Sequence, residues 1–159
     1  KMKKIFSLLI LAITLFTIAG CSNTTDSFIK EVNSNVNVLG IKFNMNEDQV
    51  KKLAGSDVEK EPCITGYEFA YNDKLINIGF KNEEGTVRRI TTKNHDTSIY
   101  GIKPGDKLEA AFAKIKESGF TVDSSSKYKF HKNNIIVTIL SMKETNADGL
   151  TIELDPDQK

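Results

Sequence analysis

The residue types that most often carry out catalysis are scarce in this chain, and their spacing matches no known catalytic motif. His95 and His131 are the only histidines, and Cys63 follows a proline with no histidine near it in the sequence. A reactive thiol needs a base or a positive neighbour, so we expect Cys63 to be a half-buried, inert side chain. The serines at 124–126 lack the G-x-S-x-G sequence of a nucleophile elbow. The sequence therefore predicts a protein that is not an enzyme, with no catalytic residue, no metal site and no cofactor.

A second cysteine, Cys21, stands in a more informative setting. A basic start and a run of fifteen uncharged residues, 5–19, precede it. The residues directly before the cysteine are Ile18, Ala19 and Gly20. A basic segment, an apolar segment and a small-residue cleavage site together indicate a secretory signal peptide.

The four residues that end this segment resemble the lipobox of bacterial lipoproteins, although Ile18 stands where leucine is usual. The resemblance implies that residues 1–20 are removed and that the Cys21 thiol receives a diacylglycerol. It implies a protein held by lipid on the extracytoplasmic face of the cell membrane. The alternative is an uncleaved membrane-spanning anchor, but fifteen helical residues span roughly 22 Å, less than the ~30 Å of a bilayer core.

The charge of the remaining chain argues against nucleic acid as a partner. Lys1, Lys3 and Lys4 leave with the signal peptide, so 19 basic residues remain against 21 acidic ones, a net charge of about −2. A chain without a basic stripe is not expected to bind nucleic acid. With Cys21 lipidated, no disulfide within the chain is expected. The basic residues are nearly all lysine, a bias that favours a Gram-positive host with an AT-rich genome.

Residues 21–37 are expected to form a flexible tether. Nine of the sixteen residues 22–37 are Ser, Thr or Asn, a composition typical of solvated linkers. Such a tether would hold the folded part of the protein away from the membrane surface.

The rest of the chain is interpreted as two tandem repeat units, 38–96 and 97–159. A shift of 61 residues places the sequence Gly-Ile-Lys at 40–42 on the same sequence at 101–103. A fixed internal shift is the sequence signature of a repeated structural unit. Each unit is predicted to begin with a helix that starts at a capping box. In such a box, the side chains of the cap residue and of the residue three positions later each accept a hydrogen bond from the other residue's backbone N–H. The predicted boxes are Asn44 with Glu47 and Asp106 with Glu109.

Three strands are predicted to follow each helix. Alternating residues and turn signals mark them, with two-residue turns at Asn72-Asp73 and Asn133-Asn134. The predicted strands are 67–71, 75–80 and 86–91 in the first unit and 128–131, 135–140 and 150–154 in the second. The sequence therefore predicts an α+β fold of two tandem repeats, each a helix followed by a three-stranded antiparallel meander, with the helices packed on a sheet.

The Gly-Ile-Lys lead-ins, capped helices and aromatic-led strands resemble the tandem repeats of β-lactamase inhibitory protein and the single unit of the outer-membrane assembly lipoprotein BamE. The resemblance covers residues 38–155. It implies a protein that binds other proteins and carries no catalytic residue.

One face of the predicted sheet is a candidate binding surface. The strand 135–140 is apolar on both sides, which is typical of a strand that is buried on both faces of its sheet. If the helices cover only one side, Leu75, Ile136 and Leu140 need another cover: a partner, a second molecule or the tether. The aromatic side chains at 67, 69, 71, 128 and 130 are read either as core beneath the helices or as a second interface.

We therefore expect a membrane-anchored extracytoplasmic lipoprotein that acts as a non-catalytic protein-binding module of the cell envelope. An envelope protein is the expected partner, besides the membrane itself. The alternative is a lipoprotein that binds a small ligand or a cell-wall fragment in the cleft between the two units.

Overall fold

The computed structural model describes residues 23–64, 66–81 and 84–155. By its internal contacts the chain divides into residues 1–31 and 32–159. The first unit contains most of the first helix, and the second contains the sheets. The helices are α1 (Asn23–Ser34), α2 (Glu47–Ala54) and α3 (Leu108–Glu117). The strands are β1 (Val36–Asn37), β2 (Lys60–Cys63), β3 (Gly66–Tyr71), β4 (Ile76–Lys81), β5 (Val87–Thr92), β6 (Ser98–Ile99), β7 (Thr121–Asp123), β8 (Ser126–Lys132), β9 (Ile135–Leu140) and β10 (Gly149–Leu154).

Eight of these strands form one antiparallel sheet, in the order β2-β3-β4-β5-β10-β9-β8-β7. Its centre is the pairing of β5 with β10, where Ile90 lies opposite Ile152. One row across six strands is entirely apolar and fully or almost fully buried. Its residues are Phe69, Ile78, Ile90, Ile152, Val137 and Phe130. We call the side of the sheet that carries this row the covered face.

The helices α2 and α3 pack on the covered face. Lys51 of α2 lies with its Nζ atom 5.0 Å from the centre of the Phe69 ring. Phe112 of α3 lies 5.5 Å from Phe130, measured between ring centres. Val50 is fully buried in α2, and Ala111 and Ile115 are fully buried in α3. The aromatic residues of β3 and β8 are therefore core beneath the helices, the first of the two readings of the sequence.

The predicted fold class is wrong. The chain does not form two units of a helix and a three-stranded meander, because each of α2 and α3 is followed by four strands and all eight strands share one sheet. The strands that the prediction omitted are β2 and β7, which lie at the two edges. The 61-residue shift that superimposes the two Gly-Ile-Lys sequences would also place Phe69 on Phe130 and Ile78 on Ile139. Phe69 pairs with Ile78 whereas Phe130 pairs with Val137, so the strand pairing departs from this shift by two residues.

The segment predicted as a flexible tether, 21–37, has regular secondary structure over most of its described length. It contains α1 and β1, and β1 pairs with β6 through Val36 and Ile99. The expectation of an irregular linker is therefore wrong for these residues. Whether residues 21–37 space the protein from a membrane stays a prediction.

Both predicted capping boxes are misplaced. The cap of α2 is Asn46, whose side chain accepts a hydrogen bond from the Gln49 backbone at 3.0 Å, while the Gln49 side chain accepts one from the Asn46 backbone at 3.0 Å. Asn44 instead adopts a left-handed backbone with φ of 70°. The N-terminal cap of α3 is Lys107, which makes no side-chain cap bond.

The two hairpin predictions have different outcomes. The turn at Asn133-Asn134 joins β8 and β9 directly, because Lys132 pairs with Ile135. The turn between β3 and β4 has four residues instead of two, because Tyr71 pairs with Ile76. Asn72, Asp73 and Lys74 all have positive φ there, so Leu75 belongs to the loop.

The edges of the sheet are short. The strand β2 has four residues and includes Pro62, which has no backbone N–H to donate. The strand β7 at the other edge has three residues. Both features limit the row of free backbone groups that a sheet edge presents.

Candidate binding surface

The side of the sheet away from α2 and α3, which we call the open face, consists of alternate residues of the strands. Its middle row crosses the four central strands and carries an amide and three hydroxyl groups. We call this the threonine row, and it consists of Asn77, Thr91, Thr151 and Thr138. The hydroxyl oxygens of Thr91 and Thr151 are 3.0 Å apart and share a hydrogen bond. These side chains are half-buried, in contrast with the fully buried row on the covered face.

A row of charged residues runs beside the threonine row. We call it the charged row, and across the sheet it consists of Glu68, Gly79, Arg89, Glu153, Ile136 and His131. Arg89 forms an ion pair with Glu68, although β4 lies between their strands. Gly79 permits this crossing, since a Cβ atom there would lie 3.2 Å from the Arg89 Cβ and 3.3 Å from its Nε. The Arg89 side chain therefore crosses β4 over Gly79.

The last member of the charged row, His131, contacts an acid of β7. Its Nε2 atom contacts a carboxylate oxygen of Asp123. The Ser125 hydroxyl and the Ser125 backbone N–H also donate to Asp123. These hydrogen bonds, that of the Ser125 side chain first, hold the pKa of Asp123 well below its usual range. The loop 124–126, considered above as a source of nucleophiles, thus holds the Asp123 carboxylate in place.

The third row of the open face contains the predicted binding residues Leu75 and Leu140. Leu140 pairs with Gly149, and the Lys93 backbone donates to the Leu75 carbonyl at 2.7 Å. We call Leu75, Lys93, Gly149 and Leu140 the leucine row. The Lys93 stem crosses Gly149, where an added Cβ would lie 3.0 Å from the Lys93 Cγ.

The three residues predicted from the sequence as a binding face differ in exposure. Leu75 is 43% exposed, Leu140 is half-buried, and Ile136 is only 4% exposed. Ile136 lies between His131 and Glu153, its partners on the two neighbouring strands. The open face is consequently more polar than the sequence prediction supposed, and its apolar residues lie mainly in the leucine row.

A second feature is a cavity of about 820 Å³ beside the start of α2. The Glu47 carboxylate is its centre. It accepts a hydrogen bond from the Tyr67 hydroxyl, and the Lys60 Nζ lies 3.1 Å from the same carboxylate oxygen. Lys60 also lies over the Tyr67 ring, at 3.6 Å from its centre. Cys63 and Glu84 line the same cavity.

These contacts shift the pKa values of Glu47 and Tyr67 in opposite directions. The hydrogen bond from Tyr67 lowers the pKa of Glu47, with smaller contributions from Lys60 and Lys51. Burial, and then the hydrogen bond to Glu47, raises the pKa of Tyr67 to about 12. Tyr67 is therefore a neutral hydrogen-bond donor at physiological pH.

A smaller cavity of about 480 Å³ lies at the start of α3, beside Phe112, Lys127 and Glu144. Like the first cavity, it lies within one half of the sheet. Neither of the two corresponds to the predicted ligand cleft between two repeat units.

The cysteines and histidines singled out in the sequence have different surroundings. Cys63 is free and half-buried. His95 and His131 belong to no cluster of metal-ligating residues in the part of the chain that the structure describes. The lipobox residues Ile18, Ala19, Gly20 and Cys21 lie outside the described ranges. Within those ranges no helix is both long and apolar enough to cross a bilayer.

The charged and threonine rows were missed by sequence reasoning, although a signal for them exists. Arg89 and Thr91 alternate with buried residues in one predicted strand, and Thr151 and Glu153 do so in another. The alternation therefore indicates that these side chains share one face of the sheet. It does not indicate which side chains lie beside them, because the pairing of β5 with β10 joins positions about 60 residues apart.

Comparison with known proteins shows a likeness of fold. No protein-family model and no curated protein matches the chain. Among solved structures it is similar to an extracellular protein containing a SCP domain from Bacillus anthracis str. Ames, with a TM-score of 0.58 and 12% sequence identity. The alignment covers 77% of this chain and 47% of that protein, so the chain spans about half of the length of its structural neighbour. The likeness supports the single-sheet architecture over the predicted pair of units.

Proposed function

We propose that this protein is a membrane-anchored, extracytoplasmic and non-catalytic protein-binding module of the cell envelope, and that the open face is its binding surface. The observation that carries the proposal is the contrast between the two sides of one rigid sheet. The covered face is apolar and buried beneath α2 and α3, whereas the open face presents half-buried hydroxyl, amide and charged groups in three ordered rows. Protein interfaces contain this mixture of polar contacts and a few apolar anchors.

The proposed location rests on two further observations. Residues 1–21 resemble a lipoprotein signal peptide with its lipid-acceptor cysteine, Cys21. The structural neighbour from Bacillus anthracis is an extracellular protein, which supports a location outside the cytoplasm for this chain as well.

The test uses Thr138→Arg, which places a long cation in the threonine row at the middle of the open face. Ala113→Arg is the matched control, because Ala113 is an exposed residue of α3 on the other side of the sheet. Chemical crosslinking in intact cells that express the full chain should give a wild-type adduct that Thr138→Arg loses and Ala113→Arg keeps. Equal melting temperatures would show that both variants fold. An adduct that persists in Thr138→Arg would contradict the proposal.

A small ligand is the second candidate partner, and the cavity beside Tyr67 favours it. A volume of about 820 Å³ lies within the range of ligand pockets, and Glu47, Tyr67 and Lys60 converge there. Tyr67→Phe would then weaken binding of the ligand while Thr138→Arg would not.

A further inference from the structure

We propose that the occupant of the open face is a second copy of this chain, related by a twofold axis that runs parallel to the strands between β5 and β10. The inference rests on the proposed function in one respect, the assignment of binding to the open face. A twofold interface uses the same patch on both copies, so the patch has to be complementary to itself. The three rows of the open face have this property.

The axis fixes which strands meet. It lays β5 of one copy over β10 of the other, β4 over β9 and β3 over β8, at the same height along the strands. Two sheets that pack face to face are separated by ~10 Å and keep their strands within about 30° of each other. Contacts nearest the axis are therefore the best aligned.

The charged row is complementary under this operation. Arg89 of one copy faces Glu153 of the other, and the same pair forms again on the other side of the axis. Arg89 uses part of its guanidinium on Glu68 and retains further N–H donors for a second carboxylate. The Glu153 carboxylate makes no hydrogen bond or ion pair that the described residues show. Farther from the axis, Glu68 of one copy faces His131 of the other.

The other two rows are complementary in polarity. In the threonine row, Thr91 of one copy faces Thr151 of the other, and Asn77 faces Thr138. Each hydroxyl or amide group thus lies opposite a group that can donate or accept a hydrogen bond. In the leucine row Leu75 faces Leu140, which joins two apolar residues that the sequence analysis had singled out. Lys93 faces Gly149 and meets no like charge.

The alternative twofold axis, across the strands, is electrostatically unfavourable. It would lay each strand over its own copy. With the axis at the charged row, Glu68 would lie over Glu68 and Arg89 over Arg89, and with the axis at the threonine row Arg89 would lie over Lys93. Like charges placed opposite each other in an interface cost several kcal/mol. The charge order of the open face therefore selects the axis parallel to the strands.

The area is also sufficient. The eight strands contain 44 residues, which at ~4.8 Å between strands and ~3.3 Å rise give a face of roughly 700 Å². A standard protein interface buries about 800 Å² on each partner. Since the face is largely polar, we expect a moderate affinity between the copies that falls as the salt concentration rises. Confinement of both copies to one membrane would raise the fraction that is paired.

The test is a charge exchange in trans between two differently tagged full-length copies in the same cells. One copy carries Arg89→Glu and the other carries Glu153→Arg. Each variant alone would place like charges across the axis twice, and its co-purification with itself should fall by at least about tenfold. Expressed together, the two variants place opposite charges at both positions, so the mixed pair should recover the wild-type level. Lys52→Glu, on the exposed side of α2, is the control and should change nothing.

A second pair of variants covers the case in which Arg89→Glu fails to fold beside Glu68. One copy carries Thr91→Glu with Thr151→Glu, and the other carries Thr91→Lys with Thr151→Lys. The same pattern of two losses and one recovery is expected. A merely structural defect cannot be repaired by a different chain, so recovery in trans identifies the interface.

Five results would overturn the inference. Wild-type copies that fail to co-purify or crosslink exclude a second copy as the occupant. Folded single variants that still self-associate exclude the face or the axis, and so does a mixed pair that does not recover. If the adduct lost in Thr138→Arg lacks the second tag, this inference fails while the proposed function stands. If Thr138→Arg keeps its adduct, the proposed function fails with it.

Discussion

The Glu47 carboxylate gathers three side chains that come from three places in the chain. Lys51 follows it by one helical turn, Lys60 belongs to β2 and Tyr67 to β3. A residue near the start of a helix thereby fixes the position of α2 on the edge of the sheet. The sequence showed Glu47 only as half of a capping box, because its real partners lie 13 and 20 residues away.

This cluster predicts a dependence of stability on alkaline pH. The pKa of Tyr67 is raised to about 12 in the folded state, above the usual tyrosine value of about 10. Its stabilising contribution is therefore complete below pH ~10 and is lost as the pH rises towards the folded pKa. Urea unfolding should show that wild type loses more stability over this interval than Tyr67→Phe does.

The control for this measurement is Leu53→Ala, since Leu53 is an exposed side chain of α2, the helix that carries Glu47, and has no titratable group. It should lose stability in parallel with wild type. Equal slopes for Tyr67→Phe and wild type would show that the Tyr67 hydroxyl does not titrate differently in the two states.

Cys21 carries the prediction of membrane attachment. Cys21→Ala should move the protein from washed membranes to the soluble or secreted fraction, because a diacylglycerol supplies two acyl chains and each buried CH₂ adds ~0.8 kcal/mol of membrane affinity. Fractionation and immunoblotting measure the distribution, with Cys63→Ala as the control that removes the other thiol. A Cys21→Ala protein that is processed normally and stays in the membrane would contradict the lipid anchor.

Among the helices, α2 has a complete capping box and α3 has none. The difference follows from one residue, since Asn46 precedes α2 and Lys107 precedes α3. Asp106 accepts from the Lys103 backbone and pairs with Lys114 at 2.8 Å, so it stabilises the entry to α3 in another way.

Removal of the α2 cap should be measurable. Asn46→Ala leaves backbone N–H groups of α2 without a partner and should lower the free energy of unfolding by about 1 kcal/mol. Asn46→Asp keeps the acceptor and should stay near wild type. Thermal or urea unfolding distinguishes the two, and an equal loss in both variants would argue that the side-chain bond does not stabilise the helix.

The element-level predictions succeeded where the signal was local. The strand 135–140 and the turn at Asn133-Asn134 are confirmed, because alternation and turn residues lie next to each other in the sequence. The edge strands β2 and β7 were missed, since they have only four and three residues and no run of apolar alternation. The caps were misplaced because Asn44-x-x-Glu47 and Asp106-x-x-Glu109 also have the spacing of a capping box, whereas the box of α2 is Asn46-x-x-Gln49.

At the scale of the whole molecule, the central pair β5-β10 joins the two halves of the sheet. The sequence predicted six of the eight strands of this sheet, but it did not predict that they assemble into one sheet. The residues that meet at the centre, Ile90 and Ile152, lie 62 positions apart, and either could have ended a separate small sheet. The assignment of a binding face to this side of the sheet stays a prediction. Its polar residues were not predicted, because the neighbours of Ile136 are fixed only by the register.

A single core substitution at this centre should weaken both halves together. Ile152→Ala removes a fully buried side chain from β10 and should cost about 2–5 kcal/mol. Hydrogen exchange should show lower protection in β4 and β9 alike. Ile64→Ala, at a side chain that is 103% exposed, is the matched control and should change stability little. Loss of protection confined to one half would show that the halves unfold separately.

The short edges of the sheet bear on what happens when many copies are confined to one membrane. An exposed strand edge is a template on which further chains add, so crowded β proteins risk growth into filaments. Pro62 interrupts the donors along β2, and β7 ends after three residues, so neither edge favours addition of another strand. Under the proposed pairing, association through the open face would occupy that face in both copies and stop at two. Crowding would then raise the number of pairs without lengthening any of them.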